Sequence, residues 1–376
     1  MTLKPKQVVE ALTSYYYNHP GCHGRTSHLF GAETTQAYDQ SREIVKRFIN
    51  ASSSDEIIFV RNATEGLNII ANCLDLKEND IVVSSDIEHN SNLLPWQLVE
   101  RKKRIKRVSV STNPDTSFNL DNFKSVLTER VKLVSVLYTS NLSGITFPVE
   151  DIIRLAHDHG ALVCIDAAQA ALCKPIDVKK LNVDFMVMSL HKMWGPSGMG
   201  VLYGKRKFLE LFPQFLTGGE TVEDATWYDH ILEASIPKRF EAGLQDYAGV
   251  IGSGAAVEYI NKLGQKRIHQ MIIELNEYAT DKILKLNEIE LIGPETPEKR
   301  SGILNFFIKG LNVGDVARLL NEAENIMTRF GKHCVHSWFN KNNYPDSLRV
   351  SFSAYNTFEE IDILIATLRN IIKHFK

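Results

Sequence analysis

Two rhythms of hydrophobic residues alternate along the first two thirds of the chain. Short runs rich in β-branched residues predict strands at Ile57–Val60, Ile81–Ser84, Val108–Val110, Lys132–Tyr138, Ala161–Asp166, Phe185–Ser189 and Val201–Tyr203. Several are apolar almost throughout, as strands covered on both faces are. Between them, Glu65–Leu74, Asn92–Arg101, Asp121–Leu127 and Val149–His159 carry helical spacing. Such alternation predicts an α/β fold, with a large domain whose mostly parallel sheet is flanked by helices. Ala248–Leu263 reads as a long helix leaving that sheet. Beyond it the pattern changes to that of a smaller α+β domain. A polar helix (Gln265–Asn287) is followed by strands at Gly302–Ile308, Ile326–Thr328 and Ser347–Phe352, and by helices at Val313–Asn321 and Thr357–Phe375. The expected division has three parts: an N-terminal segment over residues 1–25, packing on the small domain or a partner subunit, a large domain over 26–263, and a small domain over 264–376.

Composition narrows the class without naming it. A chain of 376 residues is long enough for two cores, and 44% hydrophobic with 23% charged residues is the balance of a globular protein. Forty-three basic residues against 45 acidic ones leave a net charge of −2, which gives no electrostatic reason to expect nucleic acid or an anionic membrane. The basic run Arg101–Arg104 reads as a solvated helix end. No apolar run approaches the roughly 18 residues that span a bilayer, and the polar start shows no signal peptide. Cys22, Cys73, Cys164, Cys173 and Cys334 lack framework spacing, which fits a reducing cytoplasm.

Open α/β sheets bind ligands beyond the carboxyl ends of their strands, and the chemically distinctive residues fall there. In Ser189-Leu190-His191-Lys192, a strand ends and a lysine follows, ahead of the glycine-rich stretch Gly195–Gly200. A partly desolvated lysine has a lowered pKa and forms a Schiff base with an aldehyde. Asp166 closes an apolar strand and is a carboxylate suited to pair with a pyridinium; a helix-capping role fits that segment equally. Gln169 follows at reach of a phenolate oxygen. Thr64, between a strand and a helix, offers a hydroxyl at a helix N-terminus, an anion site suited to phosphate, although it could also cap the helix. His89 follows another strand and can stack on a ring and move protons. Together these groups point to pyridoxal 5'-phosphate (PLP).

The segments Arg61–Gly66, Glu88–Trp96, Asn141–Gly144, Asp166–Gln169, Ser189–Gly200, Arg239–Gly243 and Arg349–Thr357, in this order and spacing, resemble the class V aminotransferase branch of fold-type I PLP-dependent transferases. Within it they resemble the cysteine desulfurase and selenocysteine lyase group. The resemblance implies that Lys192 holds PLP, Asp166 pairs with its pyridinium, Gln169 meets its phenolate and His89 stacks on its ring. It implies phosphate contacts from Thr64, Ser189, His191 and the backbone of Glu65. Asn141 would lie beside cofactor and substrate, and Arg349 would clamp the substrate carboxylate, a planar bidentate task. Arg329-Phe330-Gly331-Lys332-His333-Cys334 resembles the family's loop whose thiolate takes sulfur from cysteine as a persulfide, with Arg329, Lys332 and His333 favouring the thiolate by charge. The expected enzyme is thus a cysteine desulfurase, a homodimer that hands sulfur to an acceptor protein for iron–sulfur cluster assembly, with Arg25 reaching into the neighbouring subunit's substrate site.

The pattern also departs from the family. The family's opening Asp-Asn-Ala-Ala strand does not precede Lys6–Tyr16, so one wall of the pocket is expected to be absent or built otherwise. Leu244 follows Phe240-Glu241-Ala242-Gly243 where many relatives place a phosphate-binding threonine. Other class V reactions, namely selenocysteine lysis, transamination, epimerisation or amino-acid lysis, do not need Cys334, and a non-catalytic PLP-fold protein is a further alternative. A metal site from His333, Cys334 and His336 lacks a second ligand cluster, so no metal is expected. Gly252-Ser253-Gly254 mimics a dinucleotide fingerprint but sits inside a helical pattern.

Overall fold

A computed structural model describes residues 2–375, so Met1 and Lys376, at the outer ends of the expected N-terminal segment and small domain, lie outside it. The seven strands predicted for the large domain all form: β1 (Ile57–Val60), β2 (Ile81–Ser85), β3 (Lys106–Val110), β4 (Val131–Leu137), β5 (Leu162–Asp166), β6 (Phe185–Ser189) and β7 (Gly200–Gly204). They make one seven-stranded sheet in the order β1-β7-β6-β5-β4-β2-β3. Only β7 runs counter to the rest, pairing antiparallel with both β6 and β1. Strands β4 to β7 are buried nearly along their whole length because helices cover both faces, which explains their unbroken apolar runs.

The long helix Tyr247–Leu263 closes this layer and packs closely on two others, Lys6–Asn18 and Leu29–Phe48. Its glycines serve that packing. A Cβ on Gly252 would sit 2.9 Å from Pro196 Cγ, and one on Gly254 would sit 2.6 Å from Ser41 Oγ. This explains the false dinucleotide fingerprint: the small residues admit neighbouring helices and do not face a pyrophosphate.

The C-terminal part holds a four-stranded antiparallel sheet ordered Ile289–Leu291, Ile303–Ile308, Ser347–Ser351 and Arg329–Gly331. Helices Gln265–Ile283, Val313–Glu324 and Phe358–Phe375 share its separate core around Leu304, Phe306, Leu320 and Leu368. Ile268, Ile272, Val335 and Phe339 nevertheless join the core of the large sheet, so the two parts are packed together.

The expected strand at Ile326–Thr328 lies three residues later, at Arg329–Gly331. Asn325 ends the preceding helix in the left-handed conformation (φ 53°), and the Ile326 N–H returns to the Leu320 carbonyl. The β-branched residues after it are therefore spent on the helix end. Elements that were not foreseen include helix Leu29–Phe48, helix His336–Asn342, edge strand Ile289–Leu291, the short helices Val178–Leu181 and Arg206–Leu209, and a hairpin of Val222–Ala225 with His230–Leu232.

Candidate active site

Strand ends β2, β4, β5 and β6, with the turn after β1, surround a cavity of about 390 Å³. Thr64, His89, Asn141, Asp166, Gln169, Ser189, His191, Lys192 and Arg349 all line it. Residues spread over almost 300 positions thus meet in one chamber, which also receives Arg329 and Ser353 from the C-terminal part.

One end is rich in hydroxyls. Helix Ala63–Cys73 points its N-terminus there, and its cap is Asn62, whose side chain accepts the Glu65 N–H at 3.0 Å. The alternative of Thr64 as cap therefore fails, leaving its hydroxyl free for the cavity, where it lies 2.7 Å from Ser91 Oγ. Glu65, expected to lend its backbone, does not line the cavity. Its N–H is taken by Asn62, and its carboxylate holds the Arg61 guanidinium at 2.8 Å. Ser189 Oγ accepts the Ala63 N–H at 3.1 Å, tying β6 to the helix start. Hydroxyls and a helix N-terminus make this end suited to an anion.

Deeper in lies Asp166, 8% exposed, with Oδ1 accepting the Ala168 N–H at 2.9 Å. Burial raises its pKa; the Lys192 charge and the Ala168 bond pull the other way. Lys192 follows β6 in a short turn closed by Trp194 at φ 59°. Burial disfavours its ammonium; Asp166 opposes this, while Arg349 and Arg329 reinforce it. The His191 carbonyl beside it accepts from Thr2 Oγ1 (3.0 Å) and Lys4 Nζ (3.2 Å), an anchor with no sequence signal.

His89 is pushed down to about 4, first by burial and then by Lys192, Arg329 and Arg349. Its Nδ1 accepts the Ser91 N–H at 3.1 Å, which places the neutral ring's proton on Nε2. His191 is also pushed to about 4, by burial and Lys192. Beneath His89 is a carboxylate that the sequence reading passed over. Glu88, 1% exposed, accepts from Ser85 Oγ (2.5 Å), Asn92 Nδ2 (2.7 Å) and the Leu137 N–H (3.1 Å).

The opposite wall comes from the C-terminal sheet. Arg349 Nη1 donates to the Asn141 carbonyl at 2.9 Å, and Asn141 Nδ2 donates to the His333 carbonyl at 2.8 Å. Burial lowers Arg349 to about 10, helped by Arg329 and opposed by Cys334. Cys334, half-buried, stands outside the cavity lining, with Arg329 Nη2 3.1 Å from its sulfur. His333 Nε2 engages Ser347 Oγ (2.9 Å) and His336 Nδ1 engages Asn90 (2.9 Å), so these two imidazoles are turned to separate partners. Arg25 is 70% exposed and 3.6 Å from Glu220, away from the cavity. Leu244 is 76% exposed.

Comparison with known proteins accords with this geometry. The Aminotransferase class-V family profile matches residues 1–364, and the chain belongs to that family. A probable cysteine desulfurase of Streptomyces coelicolor is 38% identical over 99% of this chain and 90% of its own. A cysteine desulfurase of Escherichia coli is 33% identical over 98% of this chain and 90% of its own. Among solved structures, an apo cysteine desulfurase from Thermococcus onnurineus superposes with a TM-score of 0.95 at 35% identity, covering 99% of this chain and 92% of that one. The Escherichia coli cysteine desulfurase CsdA, in an S-sulfonic acid form, gives 0.91 at 30% identity, with the same coverage.

Proposed function

We propose that this enzyme is a PLP-dependent cysteine desulfurase that converts L-cysteine to L-alanine and keeps the sulfur on Cys334. One observation carries the reading: Arg329 lines the cavity that holds Lys192, Asp166 and Arg349, and the same guanidinium grips the Cys334 sulfur.

The donor set fits PLP. Thr64, Ser189 and His191 beside a helix N-terminus suit its phosphate, and the buried carboxylate of Asp166 suits its pyridinium nitrogen. Lys192 would hold the aldehyde, and Gln169 is the candidate for the phenolate. Bound PLP supplies the aldehyde that captures an amino group and the ring that withdraws electrons from its Cα and Cβ bonds.

The chain's own residues do the rest. Arg349 receives the substrate carboxylate, with Asn141 holding its guanidinium from behind. Lys192, its ammonium disfavoured by burial, takes the Cα proton. His89 would stack on the cofactor ring, and with Nδ1 accepting the Ser91 N–H the neutral imidazole would offer Nε2–H as a proton donor. Cys334 Sγ attacks the substrate sulfur: an S–S bond forms, the Cβ–S bond breaks, and its electron pair leaves with carbon to be protonated. The net change is enzyme thiol plus cysteine to enzyme persulfide plus alanine.

The proposed assembly is a homodimer in the cytoplasm that passes sulfur to an acceptor protein for iron–sulfur cluster assembly. The hairpin tip residues Trp227 and Tyr228 are 92% and 94% exposed, large apolar side chains that a second copy would cover. In such a dimer the exposed Arg25, 3.6 Å from Glu220, is the candidate for reaching the partner's site. All five cysteines are free, in keeping with a reducing compartment, and among the described residues no helix is long and apolar enough to cross a membrane.

Cys334→Ser tests the reading. PLP loading should persist and alanine formation from cysteine should collapse, because an un-ionised hydroxyl attacks sulfur poorly. The wild-type protein, treated with cysteine, should gain one sulfur on the Cys334 peptide. Sulfur on another cysteine, or undiminished turnover in the serine variant, refutes it. Selenocysteine, whose selenium leaves without help from a thiol, should remain a substrate of the variant.

A further inference from the structure

The turn carrying Cys334 is bent against its backbone preference. Gly331, His333 and Cys334 have φ of 108°, 49° and 60°, and two of these residues carry a Cβ that disfavours the left-handed region. Such a turn persists only when surrounding contacts impose it. Some contacts are its own, including Lys332 Nζ on Asn340 Oδ1 at 2.6 Å. Others come from across the cavity, and one residue supplies two of them.

Asn90 donates its backbone N–H to the Cys334 carbonyl at 2.7 Å. Its side-chain nitrogen lies 2.9 Å from His336 Nδ1, which accepts when that imidazole is neutral. It therefore holds the chain on both sides of Val335, and two grips fix an orientation where a single bond is a pivot. Asn90 follows His89 directly, and Lys341 Nζ on Asp86 Oδ2 (3.1 Å) ties the same two segments again, four residues upstream. Asn90 itself does not line the cavity.

We propose that Asn90 is a positioning residue that sets the Cys334 thiol in register with the His89 segment, acting through its paired grip on Cys334 and His336. The assignment rests on the desulfurase reading for its consequence, but the grip itself can be tested without substrate. Removing the side-chain contact leaves the backbone bond as a pivot, so the thiol samples more orientations while the cavity residues stay in place.

The test uses PLP-loaded wild-type enzyme, Asn90→Ala, His336→Ala and the double variant. The rate of Cys334 alkylation by iodoacetamide is followed by peptide mass analysis without substrate. Each single variant should shift that rate by about fivefold, the worth of one partly exposed hydrogen bond, and the double variant should shift it no further. Alanine formation from cysteine should fall in kcat by a similar factor with KM held. Selenocysteine turnover should stay at the wild-type level. An unchanged alkylation rate, additive effects in the double variant, or an equal loss with selenocysteine overturns the proposal. If wild-type enzyme makes no alanine from cysteine, the desulfurase reading fails, and the alkylation rates still decide whether Asn90 orders the turn. Should Asn90→Ala not fold, His336→Ala carries the same comparison.

Discussion

Glu88→Gln is the sharpest test of how the site is built, because the structure fixes the sign of its effect. Burial pushes the Glu88 carboxyl from 4.5 up to about 7, with Asp166 adding to the rise and the bonds from Ser85, Asn92 and Leu137 opposing it. The folded protein therefore binds this proton more tightly than the unfolded chain does. The acid's contribution to stability is complete below about pH 4.5 and is lost as pH rises through about 7. A shift of that size corresponds to about 3 kcal/mol. Glutamine removes the titration but cannot copy the contacts. Its amide nitrogen must face either the Leu137 N–H or Asn92 Nδ2, both donors. Asn92 cannot turn over to help, since its Oδ1 already accepts from Ser135 Oγ (2.5 Å) and Trp96 Nε1 (3.2 Å). One buried donor without an acceptor costs about 1–3 kcal/mol. Urea unfolding of the two proteins from pH 5 to 8.5 should show the variant less stable by that amount at pH 5. The gap should close toward pH 8.5, where the wild type bears the buried charge. A gap that stays constant across the range would mean that Glu88 does not titrate in this window and would refute the reasoning.

Three further outcomes follow from the same geometry. Borohydride treatment of the PLP-loaded enzyme should fix the pyridoxyl group on the Lys192 peptide, and Lys192→Ala should abolish it; a label elsewhere ends that assignment. Asp166→Asn should retain some PLP by absorbance yet lose nearly all turnover, whereas wild-type activity would reduce the carboxylate to its contact with the Ala168 N–H. Glu241→Ala strands the buried Arg42 guanidinium, which now meets both Glu241 oxygens at 2.9 and 2.7 Å, and should cost about 3–5 kcal/mol in urea unfolding; a loss below about 1 kcal/mol would show that the pair is dispensable.

What the sequence could disclose follows from where each residue gets its partner. The strands from β1 to β7 were legible because burial on both faces leaves an apolar run that is local by nature. Lys192, Asp166, His89 and Thr64 stood out because each ends such a run or follows it within a few residues. Helix Leu29–Phe48 was not, because its buried face carries Thr34, Ser41 and Arg42 beside Tyr38 and Val45. That face reads as polar until Glu241, 199 residues on, is known to neutralise Arg42. The capping role went to Asn62 and not Thr64 by a difference of two residues, a margin that pattern alone does not resolve.

The same reasoning explains why the C-terminal half of the site is the harder half to read. The strand-end residues face the cavity through geometry that β-strands impose, so their order along the chain already encodes their convergence. Arg329, Cys334 and Arg349 belong to the antiparallel C-terminal sheet and its connecting turn; Arg329 and Arg349 reach the cavity only through packing between the two parts, and Cys334 stands outside its lining against Arg329. Asn141 and Asn90 make the join. The first links Arg349 to the His333 carbonyl, the second links the His89 segment to the Cys334 carbonyl, and each of these bonds ends on a backbone carbonyl. A backbone acceptor carries no residue identity, so the sequence cannot announce it. Relatives that share the strand-end set can therefore share the cofactor while differing in what happens to the substrate, and the difference should be sought where these two asparagines meet the C-terminal turn.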